Sequence, residues 1–228
     1  MVCKYTKNLF RNQSKKFLKI IILDGSMRKM THEEISKLRY TPEILSKMIR
    51  FPIYGLLDNI RSLYNVGAIF RIADGARIEK LFLSGYTPHP PRKEIEKTAL
   101  GATTTVPWEY HKNPVEIIHG LKSQNIKICV LEHVIPSKPY YSLTNRDFPL
   151  CVVLGNEITG ISHEIIEAAD MGIEIPMHGM KQSLNAAVAF GIAVFEIVRI
   201  YNEKRLFKPR QEPHVRAGEP FQQHKVFE

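Results

Sequence analysis

Cysteine is scarce in this chain: three residues in 228, at Cys3, Cys129 and Cys151. No C-x-x-C pair occurs, so neither a zinc knuckle nor a disulfide scaffold is indicated, and no metal is expected. Cys129 and Cys151 sit inside apolar runs, which fits reduced, buried thiols in a cytoplasmic protein. Long apolar runs are missing too. The longest candidate, Ala186 to Phe195, is ten residues and is followed by Glu196 and Arg199, whereas a span needs about 20. An export signal would need a longer stretch than "FLKIIIL" and a small-residue cleavage site, and "DGSMRK" follows instead. No membrane and no export are therefore expected. Neither standard nucleotide fingerprint is present. "NVGAIFR" is not G-x-G-x-x-G, and "LGNEITG" lacks the lysine of a P-loop, which disfavours a dinucleotide or nucleoside triphosphate site. No internal repeat is found.

Acidic residues are absent from the first 19 positions, which carry Lys4, Lys7, Arg11, Lys15, Lys16 and Lys19. Such a segment is either a solvated end or an arm that touches phosphates. The whole chain has a formal net charge of +9, a surplus that favours a polyanionic partner. A hydrophobic fraction of 44% supports a real core, and 24% charged residues argue against wholesale disorder. The length suits one domain with a small appendage.

Two short helices are expected over 31–49. Thr31 and Glu34 make a capping box, and Thr41 before Pro42 a second cap. From residue 51 the pattern changes to short apolar strands alternating with helices. "FPIYGLL", "KLFLSG", "IKICVLE", "FPLCVVLG" and "GIEIPM" read as strands, and "TTTVPWEY" as an extended piece around Pro107. Helices are expected at "NVGAIFRIADGA", at "PRKEIEKTAL" opening on Pro91, and at "NPVEIIHGLKS" capped by Asn113. Two more are expected at "SHEIIEAA" capped by Ser162 and over 184–201. This alternation predicts an α/β fold with a mostly parallel sheet, and continuous apolar strands predict helices on both faces. The expected division is a basic segment at 1–50, a main domain at 51–201 and a tail at 202–228. The last helix is apolar around most of its girth. It lies deep in one subunit or completes its burial against a second copy.

Ligands of open α/β sheets bind beyond the carboxyl ends of the strands. Three such ends carry small or polar residues: Leu131-Glu132-His133, Gly155-Asn156-Glu157 and Pro176-Met177-His178-Gly179. A pocket is expected there. Gly155 and Gly160 can admit a ligand close to the backbone. Ser183 and Asn185 stand at the mouth of the final helix, where Ser183 is expected to serve as its N-cap.

Three stretches in order carry a resemblance: "NVGAIFRIADG" (65–75), "VVLGNEITGIS" (152–162) and "IEIPMHGMKQSLNAAVAFGIAVFE" (173–196). Together they resemble the three motifs of the SpoU family of RNA ribose 2'-O-methyltransferases, in the SPOUT superfamily, over residues 51–201. Asn65, Arg71, Glu157, Ser183 and Asn185 stand at the family positions. The preceding "DNIRSLY" carries more charge and bulk than the resemblance leads one to expect, which bears on the substrate and not on the chemistry.

The resemblance implies a C-terminal deep trefoil knot, a homodimer, a tRNA or rRNA substrate, and S-adenosylmethionine as cofactor. It would place Leu131, Glu132, Leu154, Gly155, Asn156, Gly160, Ile175, Pro176, Met177, Ser183 and Leu184 around that cofactor. It makes Arg71 the catalytic residue. Arg71 either accepts the hydroxyl proton or, since guanidinium groups hold their protons tightly, stays a cation that grips a phosphate and stabilises developing charge. Asn65 would orient Arg71 or the substrate, Glu157 would pair with Arg71, within the chain or across the dimer, or bind ribose, and Ser183 and Asn185 would organise the site. Two alternatives stand beside this: a non-catalytic RNA-binding protein of the same fold, and an α/β enzyme for a small anionic substrate.

Overall fold

The structure, a computed structural model, describes residues 28–206 except 39, 42, 43, 46 and 47, with the backbone alone for 38 and 204–206. The basic arm expected at 1–19 and the tail beyond 206 lie outside the described residues.

The first helix, α1 (His32–Leu38), begins with the expected box: Thr31 N donates to Glu34 Oε2 at 2.8 Å and Glu34 N to Thr31 Oγ1 at 3.2 Å. A helical turn at Ile44–Leu45 follows, with Thr41 accepting from Ile44 N. The sheet then begins with β1 (Phe51–Asp58), α2 (Leu63–Ala76) and β2 (Ile78–Ser84), followed by α3 (Lys93–Ala99), α4 (Ala102–Thr105) and β3 (Trp108–His111). Next come α5 (Pro114–Ser123), β4 (Lys127–Leu131), β5 (Lys138–Pro139), two 3-10 turns, β6 (Leu150–Leu154), α6 (His163–Ala168), β7 (Met171–Glu174) and α7 (Ala186–Leu206).

All seven strands are parallel, in the order β3-β2-β1-β6-β4-β7-β5. The pleat sends alternate residues to opposite faces. Ile53, Leu57, Cys129, Leu150, Val152 and Leu154 join one core with α2, α3 and α7. Leu56, Ile128, Val130, Cys151 and Val153 join the other with α5 and α6. Cover on both faces is thus as expected from the unbroken apolar strands. It also accounts for the thiols: burial pushes Cys129 up to about 12 and Cys151 higher still, and both are free.

Some local expectations differ from the structure. Within "TTTVPWEY", the threonines Thr103–Thr105 lie in the short helix α4 and the strand starts only at Trp108. Pro91 precedes the N-cap of α3, Arg92, and does not occupy its first turn. Asn113 does cap α5, accepting from Val115 N at 3.0 Å, whereas the Ser162 side chain makes no cap hydrogen bond to α6. The last helix starts at Ala186 and runs to Leu206, past the expected boundary at 201. Pairing α2 closely with α3 requires a glycine. A Cβ on Gly67 would lie 2.1 Å from Thr98 Oγ1 and 2.2 Å from Ile95 O.

Register brings the carboxyl ends level. Leu57 pairs with Leu154, Val130 with Val153, and Leu131 with Ile173. The chain winds outward from β1 in both directions, β2 and β3 on one side and β6 on the other. The topological switch point, where a crevice forms, is therefore at the ends of β1 and β6.

Candidate active site

At that switch point three of the expected residues meet. Glu157, just beyond β6, accepts from Arg61 N (2.8 Å), Ser62 N (3.2 Å) and Asn65 Nδ2 (2.9 Å). Asn65 Oδ1 in turn accepts from Asn185 Nδ2 at 2.9 Å. Asn185 Oδ1 closes the chain on α7, accepting from Ala187 N (3.0 Å) and Val188 N (3.3 Å). One relay, Glu157–Asn65–Asn185, thus ties the segments after β1, β6 and β7 together. The N-terminus of α2 supplies its own cap, Ser62 Oγ accepting from Asn65 N at 3.2 Å.

Burial works against ionisation of Glu157. The donors from Arg61 N, Asn65 Nδ2, its own N–H and Ser62 N outweigh it, so the carboxyl lies below its usual range. An anion also suits the positive end of α2.

One expectation is corrected here. The N-cap of α7 is Asn185, not Ser183, because the helix starts two residues later and the amide oxygen reaches its free N–H groups. Ser183 is exposed and, among the described residues, has no hydrogen-bond partner. Within this chain Glu157 engages Asn65 and the α2 N-terminus, not Arg71. Arg71 is six positions after Asn65, which puts it about 9 Å along the helix and about 240° around it. Arg71 is exposed, and among the described residues its side chain has no partner.

The cofactor candidates gather at the neighbouring ends of β6, β4 and β7. Leu154 is buried. Leu131, Gly155, Ile175, Pro176 and Met177 are half-buried, and Leu184 is exposed. Glu132 joins two of these ends: Oε1 accepts from His133 N at 2.9 Å and Oε2 from Ile161 N at 3.4 Å. The 155–161 loop folds tightly on itself. A Cβ on Gly155 would lie 2.4 Å from Gly160 C, and Gly160 has φ +70°. Asn156, expected at the cofactor, is a staple of this loop. Its Oδ1 accepts from Ile158 N and Thr159 N, and its Nδ2 donates to Asn59 O (2.9 Å) and Tyr86 Oη (2.5 Å). Partly covered aliphatic and thioether side chains beside loop backbone at a strand-end edge are a donor set that fits an adenine ring and a sulfonium. Of the residues expected at S-adenosylmethionine, Leu131, Gly155, Ile175 and Met177 lie at these strand ends.

The sequence reading missed a polar floor under β1 and β2. Buried Asp58 accepts from Ser84 Oγ (2.8 Å) and Asn59 Nδ2 (3.1 Å), and burial raises its carboxyl above the usual range despite these bonds. Thr87 Oγ1 donates to Leu57 O and accepts from Ile60 N. The visible signal was polar residues closing two apolar strands, "LLDN" and "FLSG". A cavity of about 370 Å³ opens over this floor, at the ends of β1–β3.

Comparisons with known proteins agree on a family. The model of the SpoU rRNA Methylase family matches residues 52–195. A tRNA (guanosine(18)-2'-O)-methyltransferase of Aquifex aeolicus is 33% identical over 174 residues, covering 75% of this chain and 80% of that protein. A 23S rRNA (guanosine-2'-O-)-methyltransferase RlmB of Pectobacterium atrosepticum is 32% identical over 151 residues, covering 66% of this chain and 61% of that protein. The chain thus spans about three-fifths of the latter. Among solved structures, the A. aeolicus TrmH/SpoU tRNA modifying enzyme superposes with a TM-score of 0.62 at 30% identity, covering 68% of this chain and 78% of that one. An AdoMet-bound rRNA methyltransferase of Sinorhizobium meliloti gives 0.62 at 26% identity, covering 74% and 70%. With its parallel sheet, its three motif loops at one edge and this kinship, the chain belongs to the SpoU family of S-adenosylmethionine-dependent RNA 2'-O-methyltransferases.

Proposed function

We propose that this chain methylates a ribose 2'-hydroxyl of tRNA, with residues 51–201 as the catalytic domain, 1–50 and 202–228 as flanking segments, and a knotted path through the C-terminal motifs. The carrying observation is the Glu157–Asn65–Asn185 relay at the switch point, which fixes three motif loops around one crevice. The choice of tRNA over rRNA is supported by the A. aeolicus relative, matched over four-fifths of its length.

Bound S-adenosylmethionine supplies an electrophilic methyl group. The ribose oxygen must lie in line behind that carbon and lose its proton as it attacks, so positioning carries much of the rate. Arg71 is the residue assigned to the reacting hydroxyl, as proton acceptor or as the cation that holds its charge. Asn65, Glu157 and Asn185 are positioning residues: they hold the helix that bears Arg71 against α7. Ser183, exposed at the same mouth, faces substrate. Among the described residues no helix is long and apolar enough to cross a membrane, and free, buried thiols support a cytoplasmic setting.

The reading includes a homodimer. Helix α7 buries Ala187, Phe190, Val194 and Ile197, but Val188 and Phe195 remain 50% and 52% exposed, with Leu184 and Ile192 beside them. A continuous apolar stripe of this kind calls for a partner. Arg71 lies on the exposed side of the adjacent helix α2, so a second copy on the stripe would bring Arg71 to a neighbouring crevice. Val188→Asp should convert a dimer to a monomer in light scattering and abolish methyl transfer. A native protein that is monomeric at micromolar concentration overturns the dimer.

The function itself is tested with methyl-tritiated S-adenosylmethionine against total tRNA and total rRNA. Label on tRNA ribose is expected. Label only in rRNA moves the substrate, and failure to bind the cofactor overturns the assignment.

A further inference from the structure

The cavity over β1–β3 has a lining that the methyl-transfer chemistry does not use. Two guanidinium groups, Arg61 and Arg92, share it with the rings of Tyr86, His89 and Tyr110, and no carboxylate side chain lines it. Both arginines are exposed, and among the described residues neither side chain has a hydrogen bond or ion pair. Tyr86 is 61% exposed.

The rings are held at their edges, which leaves the exposed Tyr86 and Tyr110 open to a ligand. Tyr110 Oη donates to Gly85 O at 2.6 Å, and Tyr86 Oη accepts from Asn156 Nδ2 at 2.5 Å. His89 Nδ1 lies 3.0 Å from Pro90 O, and its ring is 4.9 Å from that of Tyr110 and 6.1 Å from that of Trp108. Rings already fixed in place lose little freedom on stacking with a ligand. Unpaired guanidinium groups beside exposed aromatic rings are the chemistry that holds single-stranded nucleic acid: cations for the phosphates, π-faces for the bases.

Position adds to composition. The Arg61 N–H holds Glu157, while its side chain lines the cavity. Tyr86 is bonded to Asn156 of the 155–161 loop. The cavity therefore adjoins the crevice where the reacting ribose is placed, and "DNIRSLY", the stretch bulkier than the family leads one to expect, supplies Arg61. We infer that this cavity holds an unstacked nucleotide of the RNA next to the methylated one. Its phosphate meets Arg61 and Arg92, and its base stacks on Tyr86 and Tyr110. The inference rests on the methyltransferase reading but has its own test.

Trp108 is the single tryptophan of the chain and is stacked on His89, so its fluorescence reports on the cavity without turnover. The full chain is titrated with pentauridylate, then compared with Arg92→Glu and Tyr86→Ala. Saturable quenching is expected for the native protein, with the midpoint raised roughly tenfold in each variant. Arg92 is the exposed N-cap residue of α3, where an acid suits the helix end, so Arg92→Glu should fold. Its affinity for S-adenosylhomocysteine should be unchanged. In the tritium assay the same variant should raise KM for tRNA roughly tenfold, with kcat altered less.

No quenching by the oligonucleotide, or quenching identical in native protein and both variants, overturns the inference, whatever the enzyme does. A native protein that quenches normally but methylates no RNA would leave the nucleotide site standing and remove the reading beside it.

Discussion

Arg71→Ala should lower methyl transfer by about 10²–10³-fold or more, with S-adenosylhomocysteine affinity and melting temperature close to native. The expectation rests on two structural facts. Arg71 is exposed on α2 and, among the described residues, has no side-chain hydrogen bond or ion pair to lose. It also stands on α2, six positions beyond Asn65, and is not among Leu131, Gly155, Ile175 and Met177, the residues proposed at the cofactor. The loss should appear in kcat/KM for RNA. Arg71→Lys tests the cationic role: a cation that only grips phosphate is partly replaced by an ammonium, whereas planar, bidentate contact is not. Near-native turnover in Arg71→Ala would sink the assignment, and a loss of cofactor binding would move Arg71 to a structural role.

Glu157→Ala should damage both folding and turnover. It leaves Arg61 N, Ser62 N and Asn65 Nδ2 without their acceptor and removes the anion from the start of α2. Water reaches this exposed site and replaces part of the loss, so the cost is about 1–2 kcal/mol, or roughly 2–8 °C in Tm. Turnover should fall further than stability, because Asn65 then loses the bond that fixes it towards Asn185. The carboxyl of Glu157 is held below its ordinary range, with burial opposing and the surrounding donors prevailing. Its stabilisation is therefore complete above the unfolded value of about 4.3 and is lost as pH falls through the lower folded value. Asp58 has the opposite sign. Burial raises it, so its contribution is present in acid and lost as pH rises through the raised value. Tm measured from pH 3 to 7 on native protein and Glu157→Gln should show a weaker decline on the acid side for the variant. Parallel curves would mean that Glu157 does not carry the acid sensitivity.

The two variants should divide the motif residues by what they do. On the proposed reading Arg71 acts on substrate and is dispensable to the fold. Glu157, Asn65 and Asn185 connect the loops, and their effect on chemistry passes through geometry. Ser183 falls with Arg71 in having no side-chain hydrogen-bond partner among the described residues.

Local pattern by itself determined much of this protein. Short apolar runs set the strands, and their lack of alternation set a sheet covered on both faces, because a strand with a wet face must alternate. Cap chemistry was legible where the partner lies within three residues, as at Thr31–Glu34 and Asn113–Val115. Motif order pointed to the loops beyond the strand ends. Tertiary structure alone decided how those loops join. Glu157 meets Asn65 across 92 positions and Asn185 meets Asn65 across 120, and only strand order and register make them neighbours. It decided which half of α7 is buried: Val188, more apolar than its neighbour Ala187, is the one left half exposed, because burial follows what packs on each. It also assembled the nucleotide cavity from the segments that follow β1 and β2 and from Tyr110 on β3. Sequence periodicity reports what one element buries, and a site made between elements depends on their arrangement in space.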